Sequence, residues 1–432
     1  MPSPSLQNID KKYHRTVEFL CSMDKFGILL GLENISRLLE KLGNPQRKFP
    51  VVHVAGSNGK GSTSSLIYEM LRQAGQKAAL YTSPHLNDFR ERIRVNGTMI
   101  DKEALIASTD KIRSIYDPSR TTFFEFTTAV AFDCMADAGL DLAVIEVGLG
   151  GRLDATNTVA PCVTVITDIS REHEDYLGVG ISAIATEKAG IIKKGVPLIT
   201  GASRRDARAV ILETARGFEA SVKEFGRHFV GVRTGPDRFT YRSGSLILEE
   251  LALSMPGSHQ IKNAALAIAV VEELRKQGYG ISDDAVRAGI GQTRFQGRFE
   301  LLQRHPDVII DGAHTPEGMR LLKSTLRQFY PGIKPYMLLG MLRDKNYDKL
   351  IEIIAPIAQE VVCVPPQGNR AFDPEKLAEK VRSYGVPAAS FGDITQGFQV
   401  LLKKVSKEDL VVAAGSLYMI GPVRRACGIG DD

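Results

Sequence analysis

The chain has no tryptophan, and no internal repeat or low-complexity tract is visible in it, which excludes solenoids and disordered tails. Cysteine is sparse: Cys21, Cys134, Cys162, Cys363 and Cys427 stand singly, without a CxxC pair. That spacing argues against a disulfide framework and a zinc ribbon, and it points to a reducing, cytoplasmic setting. No apolar run reaches the roughly 18 residues of a membrane span, and the opening MPSPSLQNIDKKYHR lacks the apolar stretch of a signal peptide. An excess of charge is missing too. Lys and Arg number 55 against 50 Asp and Glu, a net +5 that is mild for this length. Neither a nucleic acid nor a membrane is expected as partner, and an anionic small molecule fits the balance.

What is present is ordinary globular material. With 43 % apolar and 24 % charged residues over 432 positions, the chain can bury a sizeable core. Its length predicts about two to three domains, hence a multidomain α/β enzyme or binding protein. Residues 50–55 read as an apolar strand, followed by a Gly-rich loop and a helix over 62–74, where Leu66, Met70 and Leu71 recur at helical spacing. Runs 77–81, 142–147 and 162–167 read as buried parallel strands, 181–189 and 206–219 as helices between them. Segment 230–253 suggests antiparallel hairpins, and 259–277 a long helix ended by Gly278. A second alternation of strands (299–302, 308–311, 336–340, 361–365, 410–414) and helices (316–329, 347–358, 374–384) makes a smaller α/β domain. The stretch 289–297, rich in glycine, is the expected boundary, dividing the chain into 1–295 and 296–432 with a cleft between the two parts.

The strongest local signal is Gly56-Ser57-Asn58-Gly59-Lys60-Gly61-Ser62, after a strand and before a helix. Backbone N–H groups there can cradle phosphates, and Lys60 can neutralise them. The spacing is not that of a Walker loop, and a turn serving packing alone is the competing reading. Glu146 ends a strand, where α/β sheets bind ligands, and is a candidate Mg²⁺ ligand; an acid facing water is the alternative. Asp154 is a candidate for a polar substrate group. His173 should reach the same rim, although its three flanking acids also suit a solvated loop. Lys188 reads by default as a surface lysine. In the second domain, Asp311 and His314 share a strand-to-helix turn, capped by Thr315 with Pro316 behind it. Arg298 and Ser416 lie at other strand ends or loops of that domain.

Together the segments HVAGSNGKGS, YTSPHL, ERIRVNG, TFFEFTTAVAF, EVGLGGRLDATN, EHEDYLG, TEKAGIIKKGVP, HQIKNAALA, GRFELL, DGAHTPEG and AAGSLY resemble the folylpolyglutamate synthase and dihydrofolate synthase branch of the Mur-ligase superfamily. The resemblance implies a P-loop-type Mur-ligase central domain with a mostly parallel sheet and a smaller C-terminal Rossmann-like α/β domain. It implies an ATP-dependent amide ligase: a substrate carboxylate becomes an acyl phosphate, which the amine of L-glutamate attacks. By motif, Asn58, Gly59, Lys60, Gly61, Ser62, Asn263, Arg298 and Asp311 would bind ATP, and Ser83, Glu146 and His173 would ligate Mg²⁺. Lys60, Lys188, Asp311 and His314 would serve catalysis, Lys188 as a carbamate. Ile28, Leu29, Leu30, Thr122, Phe124, Leu153, Asp154 and Ser416 would contact dihydropteroate or a reduced folate and the incoming glutamate. Phe124 offers a face for a flat pterin, with core packing as its alternative, and a monomer is expected. Departures are Ser57 for threonine, Glu172 for aspartate, Thr315 for asparagine, and a missing proline before GRFELL.

Two other readings compete. A cell-wall Mur ligase would need an N-terminal UDP-binding domain, and about fifty residues precede the loop. A nucleotide-regulated binding protein without catalysis is opposed by the intact Lys60, Glu146, His173 and His314.

Overall fold

The computed structural model describes residues 4–23, 30–368 and 370–429. Strands β1 (Val51–Ala55), β2 (Ala78–Tyr81), β3 (Ile93–Val95), β4 (Thr98–Met99), β5 (Leu142–Glu146), β6 (Pro161–Ile166), β7 (Leu198–Thr200) and β8 (Val222–Glu224) form one sheet in the order β4-β3-β2-β5-β1-β6-β7-β8. All neighbours from β2 to β8 pair in parallel, and β3 and β4 add an antiparallel edge. Helices Lys60–Gln73 and Ser258–Lys276 bury one face of this sheet and Phe123–Ala136 the other. The expected hairpin region is a three-stranded antiparallel sheet of β9 (Phe229–Arg233), β10 (Arg238–Ser243) and β11 (Ile247–Ala252).

The third sheet comprises β12 (Glu300–Gln303), β13 (Asp307–Asp311), β14 (Tyr336–Leu339), β15 (Glu360–Cys363), β16 (Ala388–Ser390) and β17 (Leu410–Ala414), ordered β12-β13-β17-β14-β15-β16. It is parallel apart from β12, with a hydrophobic cluster on each face.

Within the glycine-rich stretch 289–297, helix Asp283–Gln292 takes up the first four positions. A Cβ at Gly289 would lie 2.7 Å from the Met70 backbone, so this glycine lets two helices touch rather than ending one. No described helix is long and apolar enough to cross a membrane.

Candidate active site

The carboxyl ends of β1, β2, β5 and β6 lie side by side, with Val54 in register with Glu146 and Ala55 with Ile166. The four loops that follow carry Gly56 to Gly59, Ser83, the segment after Glu146, and Glu172 with His173. Asp311 and His314 face them from the second domain. Between the two lies a cleft of about 530 Å³, lined by Asn58, Gly59, Lys60, Gly61, Ser62, Ser83, Glu146, His173, Asn263, Arg298, Asp311 and His314. Residues from motifs far apart in sequence thus line one cleft from its two sides.

Gly59 caps helix Lys60–Gln73 at φ +85°, and a Cβ there would come within 2.4 Å of Asn263 Oδ1. Both the turn and the close approach demand glycine. Lys60 Nζ donates to the carbonyls of Gly56 at 2.9 Å and Ser57 at 3.4 Å, leaving one of its three donors for a phosphate. Asn263 is held by Gln260 at 2.9 Å, and Gln260 in turn reaches Ser62 Oγ at 3.4 Å.

Glu146 is buried and accepts a hydrogen bond from the Ser83 backbone N–H at 3.1 Å. Burial pushes its pKa up to about 7, even though Lys60, the Ser83 N–H, Arg298 and Arg92 favour the ionised form. A carboxylate this short of compensation suits a cation, so the donor chemistry fits Mg²⁺. Among the described residues no three His, Cys, Asp or Glu side chains gather into a cage. His173 sits at φ +47° before the short helix Glu174–Leu177, and burial lowers its pKa.

Lys188 is not the surface lysine its helix suggests, for it is only 1 % exposed. Its ammonium donates to the Gly56 carbonyl at 2.9 Å and meets Glu172 at 2.8 Å. Burial outweighs Glu172 and lowers the Lys188 pKa to about 8. Burial alone would raise Glu172, but Lys188 and Lys60 together hold it down at about 2. Two lysines share one carboxylate, so it stays ionised while the more deeply buried amine is loosened.

On the second domain, Asp311 accepts from the N–H groups of Phe299 at 2.9 Å and Ala313 at 2.8 Å, and burial raises its pKa against the pull of Arg298. His314 Nδ1 lies 2.7 Å from the Gly312 carbonyl. A carbonyl only accepts, so the proton is on Nδ1 and Nε2 keeps a lone pair. Burial holds this histidine neutral, with a pKa of about 4. Thr315 caps helix Pro316–Phe329 through the Gly318 N–H at 3.1 Å, as its sequence position suggested.

The described residues expected to contact substrate do not line this cleft themselves, although Phe124 packs over Gly148, which does. Ile28 and Leu29 lie outside the described residues, and Leu30 is 40 % exposed. Thr122 is committed to a capping box with Glu125, its hydroxyl 2.9 Å from Glu125 Oε2, so its side chain secures a helix rather than offering a free group. Phe124 is half-buried beside Tyr81, with ring centroids 6.4 Å apart, and packs over Gly148. Leu153 is half-buried. Asp154 is buried and accepts at Oδ2 from the Leu149 N–H at 2.8 Å and at Oδ1 from the Thr156 N–H at 3.0 Å. Ser416 is buried, capping helix Leu417–Ala426 through the Tyr418 N–H at 3.2 Å.

Sequence reasoning passed over Phe295 and Arg92. The Phe295 ring fills the space a Cβ at Gly61 would need, 2.4 Å away, and Arg298 lies over it at 5.8 Å. An aromatic residue inside a glycine-rich linker was the available signal. Arg92, 6 % exposed, supplies positive charge to Glu146.

Comparison with known proteins identifies the family. The Mur ligase middle domain matches residues 54–271, and the Mur ligase glutamate ligase domain matches residues 297–417. The dihydrofolate synthase/folylpolyglutamate synthase of Bacillus subtilis (strain 168) is 34 % identical over 93 % of this chain and 96 % of its own length. The chain belongs to this family. It is an ATP-dependent glutamate ligase of the Mur-ligase fold. Dihydrofolate synthase/folylpolyglutamate synthases with solved structures share that fold throughout. Escherichia coli FolC in complex with DHPP and ADP superimposes with a TM-score of 0.87 at 31 % identity, covering 96 % of this chain and 97 % of that one. The bifunctional folylpolyglutamate synthase/dihydrofolate synthase from Yersinia pestis, complexed with AMPPNP and Mn ion, gives 0.86 at 30 % identity, with 96 % and 98 % covered.

Proposed function

We propose that this chain is bifunctional and cytoplasmic, joining L-glutamate both to dihydropteroate and to (poly)glutamylated reduced folates, with ATP. The observation that carries the reading is the convergence of Lys60, Glu146, Asp311 and His314 on one cleft between two α/β units, which we take as 1–295 and 296–432.

The γ-phosphoryl group passes to an oxygen of the substrate carboxylate, giving an acyl phosphate and ADP. The glutamate nitrogen then forms a bond to the acyl carbon while phosphate leaves. The cradle N–H groups and Lys60 hold the phosphates in line with that carboxylate. Bound Mg²⁺ neutralises charge on the phosphate oxygens, and Ser83, Glu146 and His173 would hold it. His314, neutral and with Nε2 free, faces the incoming amine and accepts its proton as the bond to the acyl carbon forms and that nitrogen becomes acidic. Asp311, anchored to two backbone N–H groups, fixes the turn that carries His314 and sits beside Arg298. Phe124 gives the pterin a ring to stack on, and Asp154 accepts from its ring N–H groups.

The reading is tested by incubating the protein with ATP, Mg²⁺, glutamate and either dihydropteroate or tetrahydrofolate, and weighing the products by mass spectrometry. Both should gain a glutamate. Extension of tetrahydrofolate alone leaves a folylpolyglutamate synthase, and no ADP release with either leaves a nucleotide-binding regulator. Phe124→Ala should raise KM for dihydropteroate by about tenfold. Longer polyglutamates should suffer less, because their tails add contacts.

Catalysis also requires water to be excluded from the acyl phosphate, whose neighbours lie on both units. Small-angle scattering should therefore show a smaller radius of gyration with ATP analogue and pterin substrate bound than without them. An unchanged radius would count against closure.

A further inference from the structure

His53 is a costly residue where it stands. It lies in the middle of β1 and is fully buried, on the same sheet face as Val51, Ala79, Tyr81 and Ile145, all of them fully buried. A valine or isoleucine would suit that apolar layer, whereas the imidazole brings two polar nitrogens into it. Nδ1 has no hydrogen-bond partner, and Nε2 has one, the Thr156 hydroxyl at 2.9 Å. The same hydroxyl lies 2.5 Å from Asp154 Oδ1.

A hydroxyl has a single proton to give. With Asp154 ionised, Thr156 donates to the carboxylate and must accept from His53, which fixes the Nε2–H tautomer and leaves Nδ1 as the unpaired atom. Were Asp154 neutral and donating, the whole chain would reverse: Thr156 would donate to Nε2, and His53 would carry its proton on Nδ1. The buried imidazole and the far carboxylate are thus linked through one proton position.

We propose that His53 is a positioning residue, whose Nε2–H, acting through the Thr156 hydroxyl, holds Asp154 oriented and ionised as the acceptor for the ring N–H groups of the pterin substrate. This rests on the assignment of Asp154 to the pterin. The relay explains why a strand residue remote from the cleft is polar, and why Asp154 keeps Oδ2 directed along the 148–154 loop, where Leu149 meets it. Nothing is transferred to substrate through the relay; it sets the direction of hydrogen bonds before the substrate arrives.

The test uses His53→Leu, His53→Gln, Thr156→Val and Asp154→Asn, each assayed with whichever pterin substrate the intact protein extends. Leucine at 53 and valine at 156 should each raise KM for that substrate by about tenfold, with kcat and KM for ATP held to within about twofold. Glutamine, whose amide can donate to Thr156, should return KM to within about threefold of the intact protein. Imidazole shifts of the intact protein, read by NMR, should report the Nε2–H tautomer at His53, a readout that does not depend on any variant folding. The inference is overturned if His53 carries Nδ1–H, if leucine leaves KM unmoved, or if kcat and the KM for ATP change as much as the pterin KM. If Asp154→Asn itself leaves the pterin KM unchanged, the assignment of Asp154 is what fails. If Asp154→Asn raises it while the His53 and Thr156 variants do not, the relay alone is wrong.

Discussion

Glu146→Gln is expected to lower turnover by about a hundredfold or more while ADP binding persists, because the amide keeps the shape of the side chain and loses its charge. The expectation has a physical basis in the way β5 delivers this residue. Four apolar positions from Leu142 to Ile145 fill the sheet, and the fifth is a carboxylate held under burial at the crevice. Positive charge from Lys60, Arg298 and Arg92 does not fully offset the lost hydration, so the pKa rests near 7. The sign of the pH dependence follows. Only the ionised form attracts a divalent cation, and that form predominates above about 7, so Mg²⁺ affinity should fall as the pH drops below that value. For one proton the limiting slope is about tenfold per pH unit. Titrating Mg²⁺ activation between pH 6 and pH 8, roughly one unit to either side, should show a total change of about tenfold in affinity in the intact protein and none in Glu146→Gln. Near-normal turnover in the variant would remove Glu146 from the metal site.

The strand-and-helix frame was legible wherever elements alternate between apolar runs and glycine-punctuated loops. Helix Ile181–Ala189 and strand Leu410–Ala414 stand at the positions the pattern gives. Helix Phe123–Ala136 is different, since residues 125–132 are buried without interruption. A helix buried all round, with Glu125, Thr127 and Thr128 inside as well, has no solvated polar face to reveal its period. Charged residues of the cleft were legible from the strand ends they follow, as with Glu146 and Asp311. What stayed hidden depended on partners distant in sequence. Thr122 is the exception, because its capping partner Glu125 stands three residues on and the commitment of its hydroxyl was itself readable in the sequence. Lys188 reads as solvated because its only sequence neighbour of opposite charge is Glu187, whereas its partner in space is Glu172. Glu187 instead pairs with Arg152 at 2.7 Å.

That arrangement leads to the remaining prediction with a large effect. We propose that Lys188 carries a carbamate in the working enzyme, and what supports this is the state of its amine. Only a neutral amine adds CO₂, and a pKa of about 8 gives a neutral fraction near one tenth at pH 7, far above that of an ordinary lysine. Carbamylation replaces a cation by an anion, however, and Glu172 stands 2.8 Å from the present nitrogen. Two neighbouring anions repel, so the modification should be favoured when a divalent cation is bound between the domains and opposed when it is removed. With ¹³C-bicarbonate, a carbamate carbon should be visible by NMR in the intact protein with Mg²⁺ and ADP, weaken on chelation, and be absent in Lys188→Ala. Turnover of that variant should fall by about a hundredfold or more and recover in part with added formate or acetate, which can occupy the vacated volume. Glu172→Gln removes the opposing charge and should strengthen the carbamate signal in the absence of metal. A bare ammonium at Lys188 in fully active protein, with no ¹³C signal under either condition, would reject the modification and leave the Lys188–Glu172 pair as a purely structural tie beneath the phosphate cradle.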